Sequence, residues 1–394
     1  MLPVTNSQRP SLADVLPSCL DSLLARPNPL SLPPVERAVV FVVDGLGVNA
    51  VTERAGHART LAGALSKSAL SKSAMAKSAM ATSGFPTTTA SGLATITTGT
   101  LPGVHGMVGY TALDPENDRV VQLLTGWDDK LDPLTWQRSR TVFERAADDG
   151  IPSFAIGVER FRNSGFTSAV LRGADYRSGA SVGQRVDEAR RVLDSHDHAL
   201  VYVYAAEVDH AAHNYGRQSR QWLTALESVD AAAASLTSSL GPREGMLLTA
   251  DHGSLDVPRH AHVFFDHEPG LLDGIRHIAG EPRALQLHFE PDAGEGHRER
   301  ILQRWRASEG GRSQVLTRAE AIADGWFGPS VDPVVERRIG DIIVATRKGI
   351  AYYDSRSADS KAQAMIGQHG SLSPDETRVP LLRFGAFALS AVTR

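Results

Sequence analysis

The 394-residue chain has a single cysteine, Cys19, and it lacks both a net positive charge and a long hydrophobic run. One cysteine excludes an intrachain disulfide and a metal site built from thiolates. The formal net charge of -4 disfavours nucleic acid as a partner, because such binding depends on neutralising phosphates. No apolar run approaches the roughly 18 residues of a membrane-spanning helix, and the first residues lack a signal-peptide pattern. We therefore expect a soluble, cytoplasmic protein without a membrane partner, and leave its oligomeric state open.

The sequence does contain the alternation of strands and helices that is typical of an α/β fold. Residues 38–43 and 199–205 are continuous apolar runs of strand length, and residues 245–249 lead into a third. Such runs indicate strands that are buried on both faces of a parallel sheet. Helical patterns lie between them, at residues 142–149, 182–193 and 221–240. We predict an α/β sandwich with a mainly parallel central sheet.

Changes in composition along the chain suggest three parts. Residues 1–36 contain seven prolines and are predicted to form an N-terminal arm. The sequence pattern of residues 283–353 differs from that of the preceding chain, and this segment is predicted to be a small inserted cap. The core is then expected at 37–282 and 354–394. A tandem five-residue repeat at 66–80 is predicted to be an exposed loop or helix extension, with a functional basic stripe as the alternative.

Seven threonines occur between Ser83 and Thr100. Threonine suits a pleated surface, so composition alone favours a strand here. The position of this segment, between the first and second apolar strands, suggests a different role.

Aspartates and histidines follow the predicted strands. Because ligands bind at the carboxyl ends of the strands in an open parallel sheet, these side chains are expected to meet there. Carboxylate and imidazole groups are good ligands for zinc and similar divalent ions. Individually, each has an alternative role as a helix cap or a hydrogen-bonded core residue. The set consists of Asp44, Asp209, His213, Asp251, His252 and His369.

Five motifs occur in a fixed order, namely V-V-D-G-L-G, F-P-T-T-T-A-S-G-L-A-T-I-T-T-G-T-L-P-G-V-H-G, V-D-H-A-A-H-N-Y-G, T-A-D-H-G and G-Q-H-G. Together they resemble the alkaline phosphatase superfamily, and within it the type I phosphodiesterase/nucleotide pyrophosphatase family. The resemblance implies an alkaline-phosphatase-like three-layer sandwich with a small cap. It also implies a metal-dependent hydrolase that acts on phosphoric ester or anhydride bonds.

The resemblance also implies roles for individual residues. Thr89 falls on the position of the nucleophile, which would form a phosphothreonine intermediate, while Thr87 and Thr88 are expected to be spacers. Two divalent ions are implied, most simply zinc, with manganese as the alternative. Asp44, Thr89, Asp251 and His252 would hold one ion, and Asp209, His213 and His369 would hold the other. A helix expected at 90–98 would present backbone N–H groups to a phosphate.

Tyr110 departs from the family pattern, because the nucleotide-cleaving branch has at this position an asparagine that helps to bind a phosphoryl oxygen. A phenol can donate one hydrogen bond, so Tyr110 is either a substrate-binding residue or a packing aromatic. The substrate is expected to be small and phosphorylated, and a nucleotide is one candidate. Phosphodiester or pyrophosphate cleavage is our first hypothesis, with monoester or phosphonate hydrolysis as alternatives. A catalytically silent metal-binding protein is the hypothesis from a different class.

Overall fold

The computed structural model describes residues 9–70, 79–356 and 360–388. Most of the repeat at 66–80 lies outside these ranges. The strands are β1 Arg37–Val43, β2 Met80–Thr82, β3 Thr111–Asp114, β4 Arg119–Gln122, β5 Ser153–Gly157, β6 Asp175–Ser178, β7 Ala199–Ala205, β8 Glu244–Thr249, β9 Leu255–Asp256, β10 His262–Phe264, β11 Ile275–Glu281, β12 Ala284–Phe289, β13 Ser313–Thr317, β14 Ile342–Thr346, β15 Ala351–Tyr353, β16 Gly367–Gln368 and β17 Arg378–Gly385. The helices are α1 Val15–Leu23, α2 Val48–Glu53, α3 Arg59–Leu70, α4 Thr89–Thr98, α5 Pro102–His105, α6 Pro133–Trp136, α7 Val142–Asp148, α8 Gly165–Val170, α9 Val182–Ser195, α10 Glu207–Tyr215, α11 Arg220–Ser239, α12 Glu295–Glu309, α13 Arg318–Ala323, α14 Pro333–Glu336, α15 Ser360–Ala364 and α16 Pro374–Thr377.

The main sheet has the strand order β2-β17-β8-β1-β7-β5-β6 in the described residues. Strand β1 pairs in parallel with both β7 and β8, and β5 pairs in parallel with β6 and β7. Strand β17 runs antiparallel to both of its neighbours, β8 and β2. The apolar run at 38–43 is fully buried, as expected for a central strand covered on both faces. The predicted α/β class with a mainly parallel sheet is confirmed.

Helices form a layer on each face of this sheet. Helices α1, α4 and α7 contact one another, and α1 and α7 contact the sheet through β1 and β5. Helix α11 contacts α3 and α9, and α9 contacts β7 and β5. None of the helices in the described ranges combines the length and the apolar character that crossing a bilayer requires.

The described part of the N-terminal arm contributes to the core. Leu12, Val15, Leu16 and Cys19 are fully buried in the same apolar cluster as β1. Burial raises the pKa of the Cys19 thiol well above its ordinary value, so the thiol stays protonated. The arm therefore covers the sheet with an amphipathic helix, α1.

A second, antiparallel sheet has the strand order β13-β14-β12-β11-β3-β4. Its strands β12, β13 and β14 come from the segment predicted as a cap, residues 283–353. Strands β3, β4 and β11 come from outside that segment, and β11 pairs with β3 through Gly280 and Thr111. The domain limits given above stay a prediction.

A buried ion pair joins the second sheet to the loop after β16. Arg283, in the β11–β12 turn, donates hydrogen bonds of 2.7 and 2.9 Å to the two carboxylate oxygens of Glu376 in α16. Both side chains are fully buried. The same carboxylate also accepts a bond from the Ser371 backbone N–H. Burial alone raises the pKa of Glu376, but Arg283 and these bonds hold it below its ordinary value.

Replacing Glu376 with Gln is expected to destabilise the protein, because a fully buried guanidinium then loses its charge partner. The expected loss in the free energy of unfolding is about 3 kcal/mol or more. The matched control is Glu116→Gln, which removes an exposed partner of Arg337 and should cost less than about 1 kcal/mol. Urea denaturation measures both, and equal losses would contradict the prediction.

Candidate active site

The first group of site residues lies at the carboxyl ends of two neighbouring strands. Asp44 follows β1, and Asp251 and His252 follow β8. His252 Nε2 lies 3.3 Å from Asp44 Oδ1 and 3.6 Å from Asp251 Oδ2. Because β1 and β8 are parallel neighbours, their ends coincide and these side chains meet.

The second group is built from helix α10 and the loop after β16. Asp209 and His213 are four residues apart on α10, and His213 Nε2 lies 3.0 Å from Asp209 Oδ2. The His369 ring lies 5.2 Å from the His213 ring, measured between centroids. It also stacks on the His252 ring at 3.9 Å, which joins the two groups.

Thr89 lies beside the first group, at the start of α4. Its Oγ1 is 3.2 Å from His252 Nε2. No side chain caps this end of the helix in the described residues, and the first intrahelical bond of α4 runs from Gly92 N to Thr88 O. The structure thus brings together Asp44, Thr89, Asp209, His213, Asp251, His252 and His369, the residues singled out from the sequence.

Each of the three imidazoles is oriented by a backbone carbonyl behind it. The Nδ1 atoms of His213, His252 and His369 lie 2.7, 3.2 and 2.8 Å from the carbonyl oxygens of Gly367, Gly253 and Thr87. A proton on Nδ1 donates to the carbonyl and leaves Nε2 as the atom with a free lone pair. This is the arrangement that metal-binding histidines adopt.

One carboxylate oxygen of each aspartate in the site has no hydrogen-bond partner in the described residues. Asp44 Oδ1, Asp209 Oδ1 and Asp251 Oδ2 are buried and unpaired in the described part of the chain. Burial, followed by the charges of Asp251 and Asp209, raises the pKa of Asp44 well above its ordinary value. Burial, followed by the charge of Asp209, raises the pKa of Asp251 to about 7. Three acids this close repel one another unless a cation lies among them.

Two of the three histidines, His252 and His369, show the complementary shift, whereas for His213 the effect of burial is outweighed by the charge and hydrogen bond of Asp209, which raise its pKa. Burial and the neighbouring His252 lower the pKa of His369 to about 3, so its imidazole is neutral at pH 7. Burial also lowers the pKa of His252. Neutral imidazoles beside orphaned carboxylate oxygens form a donor set that suits divalent cations. Two groups have ligand atoms within 4.8 Å of one another, namely Asp209, His213, His369 and Asp44, Asp209, His252.

Two glycines allow the backbone to approach these ligands closely. Gly45 has φ +71°, and a Cβ there would lie 2.5 Å from Asp209 Oδ1. A Cβ at Gly92 would lie 2.7 Å from the carbonyl oxygen of Asp251. Any other residue at these positions would displace the carboxylates that form the site.

The prediction that Thr87 is a spacer is wrong. Its hydroxyl donates to the carbonyl of Ser371 and accepts from the Gly370 backbone N–H, while its own carbonyl accepts from His369. Thr87 therefore fastens the His369 loop to the segment that carries Thr89. Sequence spacing could not reveal this contact, because the two segments are about 280 residues apart.

Tyr110 lies just before β3, and its phenol oxygen accepts a hydrogen bond from Gln122. Its backbone carbonyl accepts from Leu123 N–H. Whether Tyr110 also binds substrate stays a prediction.

A cavity beside Thr89 is the feature that sequence reasoning missed. It has a volume of about 470 Å³ and includes Thr89 and Leu93 in its wall. Tyr204, at the end of β7, lines the cavity and donates a hydrogen bond to Asp44 Oδ2. Its aromatic lining consists of Trp127, Phe161, Phe166, Tyr176, Tyr202 and Tyr204. Tyr176, Tyr202 and Tyr204 lie on strands β6 and β7, whereas Trp127, Phe161 and Phe166 come from the segment 127–166. The wall forms only where these separate parts of the chain pack together, so no local sequence pattern predicts it.

Acidic and imidazole ligands at the carboxyl edge of a mainly parallel sheet, beside a hydroxyl at a helix start, define a class of metal-dependent hydrolases. These enzymes act on phosphoester or anhydride bonds. The family model "Type I phosphodiesterase / nucleotide pyrophosphatase" matches residues 38–372, and the chain belongs to this family.

Individual relatives are more distant. The chain is 28% identical over 142 residues to phosphopentomutase from Anaeromyxobacter dehalogenans (strain 2CP-1 / ATCC BAA-258), covering 34% of each chain, so the match spans about a third of that relative. Phosphonoacetate hydrolase from Sinorhizobium meliloti 1021, solved with phosphonoformate, has a TM-score of 0.66, 18% identity and coverage of 89% and 91%. Inactive murine ectonucleotide pyrophosphatase/phosphodiesterase 5, solved with AMP, has a TM-score of 0.65, 14% identity and coverage of 89% and 88%. These structures share the fold.

Replacing Asp251 with Asn is expected to stabilise the metal-free protein at neutral pH. The raised pKa of Asp251, about 7, means that the folded protein binds more protons than the unfolded chain between about pH 4 and 7. The stability that Asp251 contributes therefore falls as the pH rises through this window. After chelation, the variant should exceed the wild type by a few kcal/mol at pH 7.5 and match it near pH 4. Urea denaturation at both pH values provides the measurement, and a pH-independent difference would contradict the assignment.

Proposed function

We propose that this chain is a two-metal phosphohydrolase that cleaves phosphodiester or pyrophosphate bonds of small substrates through a phosphothreonine on Thr89. The observation that carries the proposal is the position of Thr89 Oγ1. It lies 3.2 Å from His252 Nε2, beside the carboxylates of the site, and it also faces the aromatic cavity. A hydroxyl placed between ligand groups and a binding cavity is suited to nucleophilic attack on a bound phosphoryl group.

The donor set described above fits divalent metal ions. We assign each ion to the ligands that the family resemblance implies. Asp44, Thr89, Asp251 and His252 would hold one ion, and Asp209, His213 and His369 would hold the other. Bound divalent ions lower the pKa of the attacking hydroxyl and neutralise charge on the attacking and leaving oxygens. Zinc is the proposed metal, with manganese as the alternative, because nitrogen and carboxylate ligands suit both.

The residues of the chain supply attack, orientation and anion binding. Thr89 Oγ1 forms a bond to phosphorus and loses its proton to solvent, while the oxygen of the leaving group departs with the bonding electron pair. The first N–H groups of α4 point out of an uncapped helix start and are positioned for the non-bridging oxygens. Water then hydrolyses the phosphothreonine, which restores the Thr89 hydroxyl and releases a phosphomonoester.

The cavity favours a diester or pyrophosphate over a simple phosphomonoester. Its aromatic wall can cover an organic group attached to the phosphorus, and a stacked aromatic ring is a suitable occupant. The murine relative binds AMP, so a nucleotide is our first candidate substrate. Monoester and phosphonate hydrolysis use the same metal site without needing this cavity. A catalytically silent metal-binding protein would need the metal site but neither the cavity nor the Thr89 hydroxyl. A cytoplasmic location also stays a prediction.

Replacing Thr89 with Ala should abolish turnover, while the variant still binds metal ions through the remaining ligands. Loss of the nucleophile is expected to lower kcat by about 1,000-fold or more. The matched control is Thr97→Ala, which removes a buried hydroxyl on the same helix that bonds only the Leu93 and Ala94 carbonyls. Hydrolysis of bis-p-nitrophenyl phosphate measures both, and near-native turnover by the Thr89 variant would rule out the covalent route.

Filling the cavity should separate diester from monoester hydrolysis. Leu93 lines the cavity one helical turn after Thr89, so Leu93→Trp places an indole where the ester group would lie. We expect kcat/KM for bis-p-nitrophenyl phosphate to fall about tenfold or more, with a smaller change for p-nitrophenyl phosphate. Leu93→Met, which preserves the volume, is the control. An equal effect on both substrates would favour the monoesterase alternative.

A further inference from the structure

Glu281 is a buried carboxyl next to the metal-ligand site that neither the sequence motifs nor the proposed mechanism uses. It ends strand β11, two residues before Arg283, so one tight turn directs a carboxyl and a guanidinium toward the segment 369–376. Burial raises the pKa of Glu281 well above its ordinary value. Arg283 is fully paired with Glu376 and with two backbone carbonyls. By contrast, neither carboxyl oxygen of Glu281 has a well-formed hydrogen bond in the described residues, and the nearest hydroxyl donor is that of Thr88.

The group that Glu281 faces is His369. Glu281 Oε2 lies 3.5 Å from His369 Nδ1, and the Glu281 side chain is only 3% exposed. The same Nδ1 lies 2.8 Å from the Thr87 carbonyl, which fixes the ring with Nε2 toward Asp209 and His213. A carboxylate on the Nδ1 side of a metal-binding imidazole makes that imidazole a stronger ligand.

The backbone around His369 leaves space for this carboxyl. Gly370 has φ +130°, and a Cβ at this position would lie 2.5 Å from Glu281 Cγ. A glycine here therefore allows Glu281 to approach the backbone of the ligand loop. A buried carboxyl without a well-formed hydrogen bond costs stability, so packing alone does not account for it.

We propose that Glu281 is a positioning residue of the metal site, whose carboxylate orients His369 and strengthens its binding to the ion shared with Asp209 and His213. The inference rests on the proposed two-metal function. It predicts that Glu281 acts on one of the two ions and leaves the other unchanged.

Glu281→Gln tests the role because it keeps the size of the side chain and removes its charge. Zn²⁺ is titrated into the chelated full-length protein in competition with a chromophoric chelator, with the unfolding midpoint of the metal-free protein measured in urea. We expect two equivalents in the wild type, and in the variant a loss of 10- to 100-fold in affinity for one of them. The metal-free variant should unfold at the same urea concentration as the wild type or a higher one.

Two further variants assign the affected ion. His369→Ala should abolish the equivalent that Glu281→Gln weakens, whereas Asp251→Asn should weaken the other. Glu281→Asp, which keeps the charge, should recover part of the lost affinity.

Unchanged affinity for both equivalents in Glu281→Gln would overturn the inference while leaving the proposed function intact. Weaker binding of both ions together with a lower unfolding midpoint would also overturn it, because that pattern indicates a structural role. If the wild type binds no Zn²⁺, the proposed function itself fails and the inference fails with it.

Discussion

The packing of three aspartates into one buried site is the constraint on which the rest of the structure depends. Asp44, Asp209 and Asp251 come from different strand ends, and each keeps a buried oxygen without a partner in the described residues. Burial, followed by the neighbouring acidic charges, raises the pKa of Asp44 and Asp251, so the arrangement is costly without a cation. The fold keeps these carboxyl groups together despite this energetic cost, because the parallel sheet fixes where the strands end.

Much of the surrounding architecture holds this cluster in place. Gly45 and Gly92 leave room for the carboxylates, and backbone carbonyls orient the imidazoles. Thr87 connects the His369 loop to the segment that carries Thr89. The fully buried Arg283–Glu376 pair fastens the second sheet to that loop. The second sheet therefore contacts the segment that carries His369, one of the proposed ligands. These few polar contacts therefore fix the position of the site residues relative to the two sheets.

The sequence predicted the strands with good accuracy where their residues are apolar throughout. The runs at 38–43 and 199–205 became β1 and β7 because continuous burial leaves few other structures for such segments. The helix after the threonines was also expected, and it begins at Thr89. The extent of the second sheet was harder to foresee, since β3 and β11 pair across about 170 residues. Pairing at that distance leaves no local pattern in either segment.

The sequence by itself predicted the candidate ligand set, because acidic and imidazole residues follow the apolar strands in the order of a known family. It also predicted Thr89 as the nucleophile, through the position that the family resemblance assigns to it. The aromatic cavity, the contacts of Thr87 and the approach of Glu281 to His369 became visible only in the tertiary structure. These features depend on segments that are distant along the chain, and their contacts arise from packing, which has no periodic signature in the sequence.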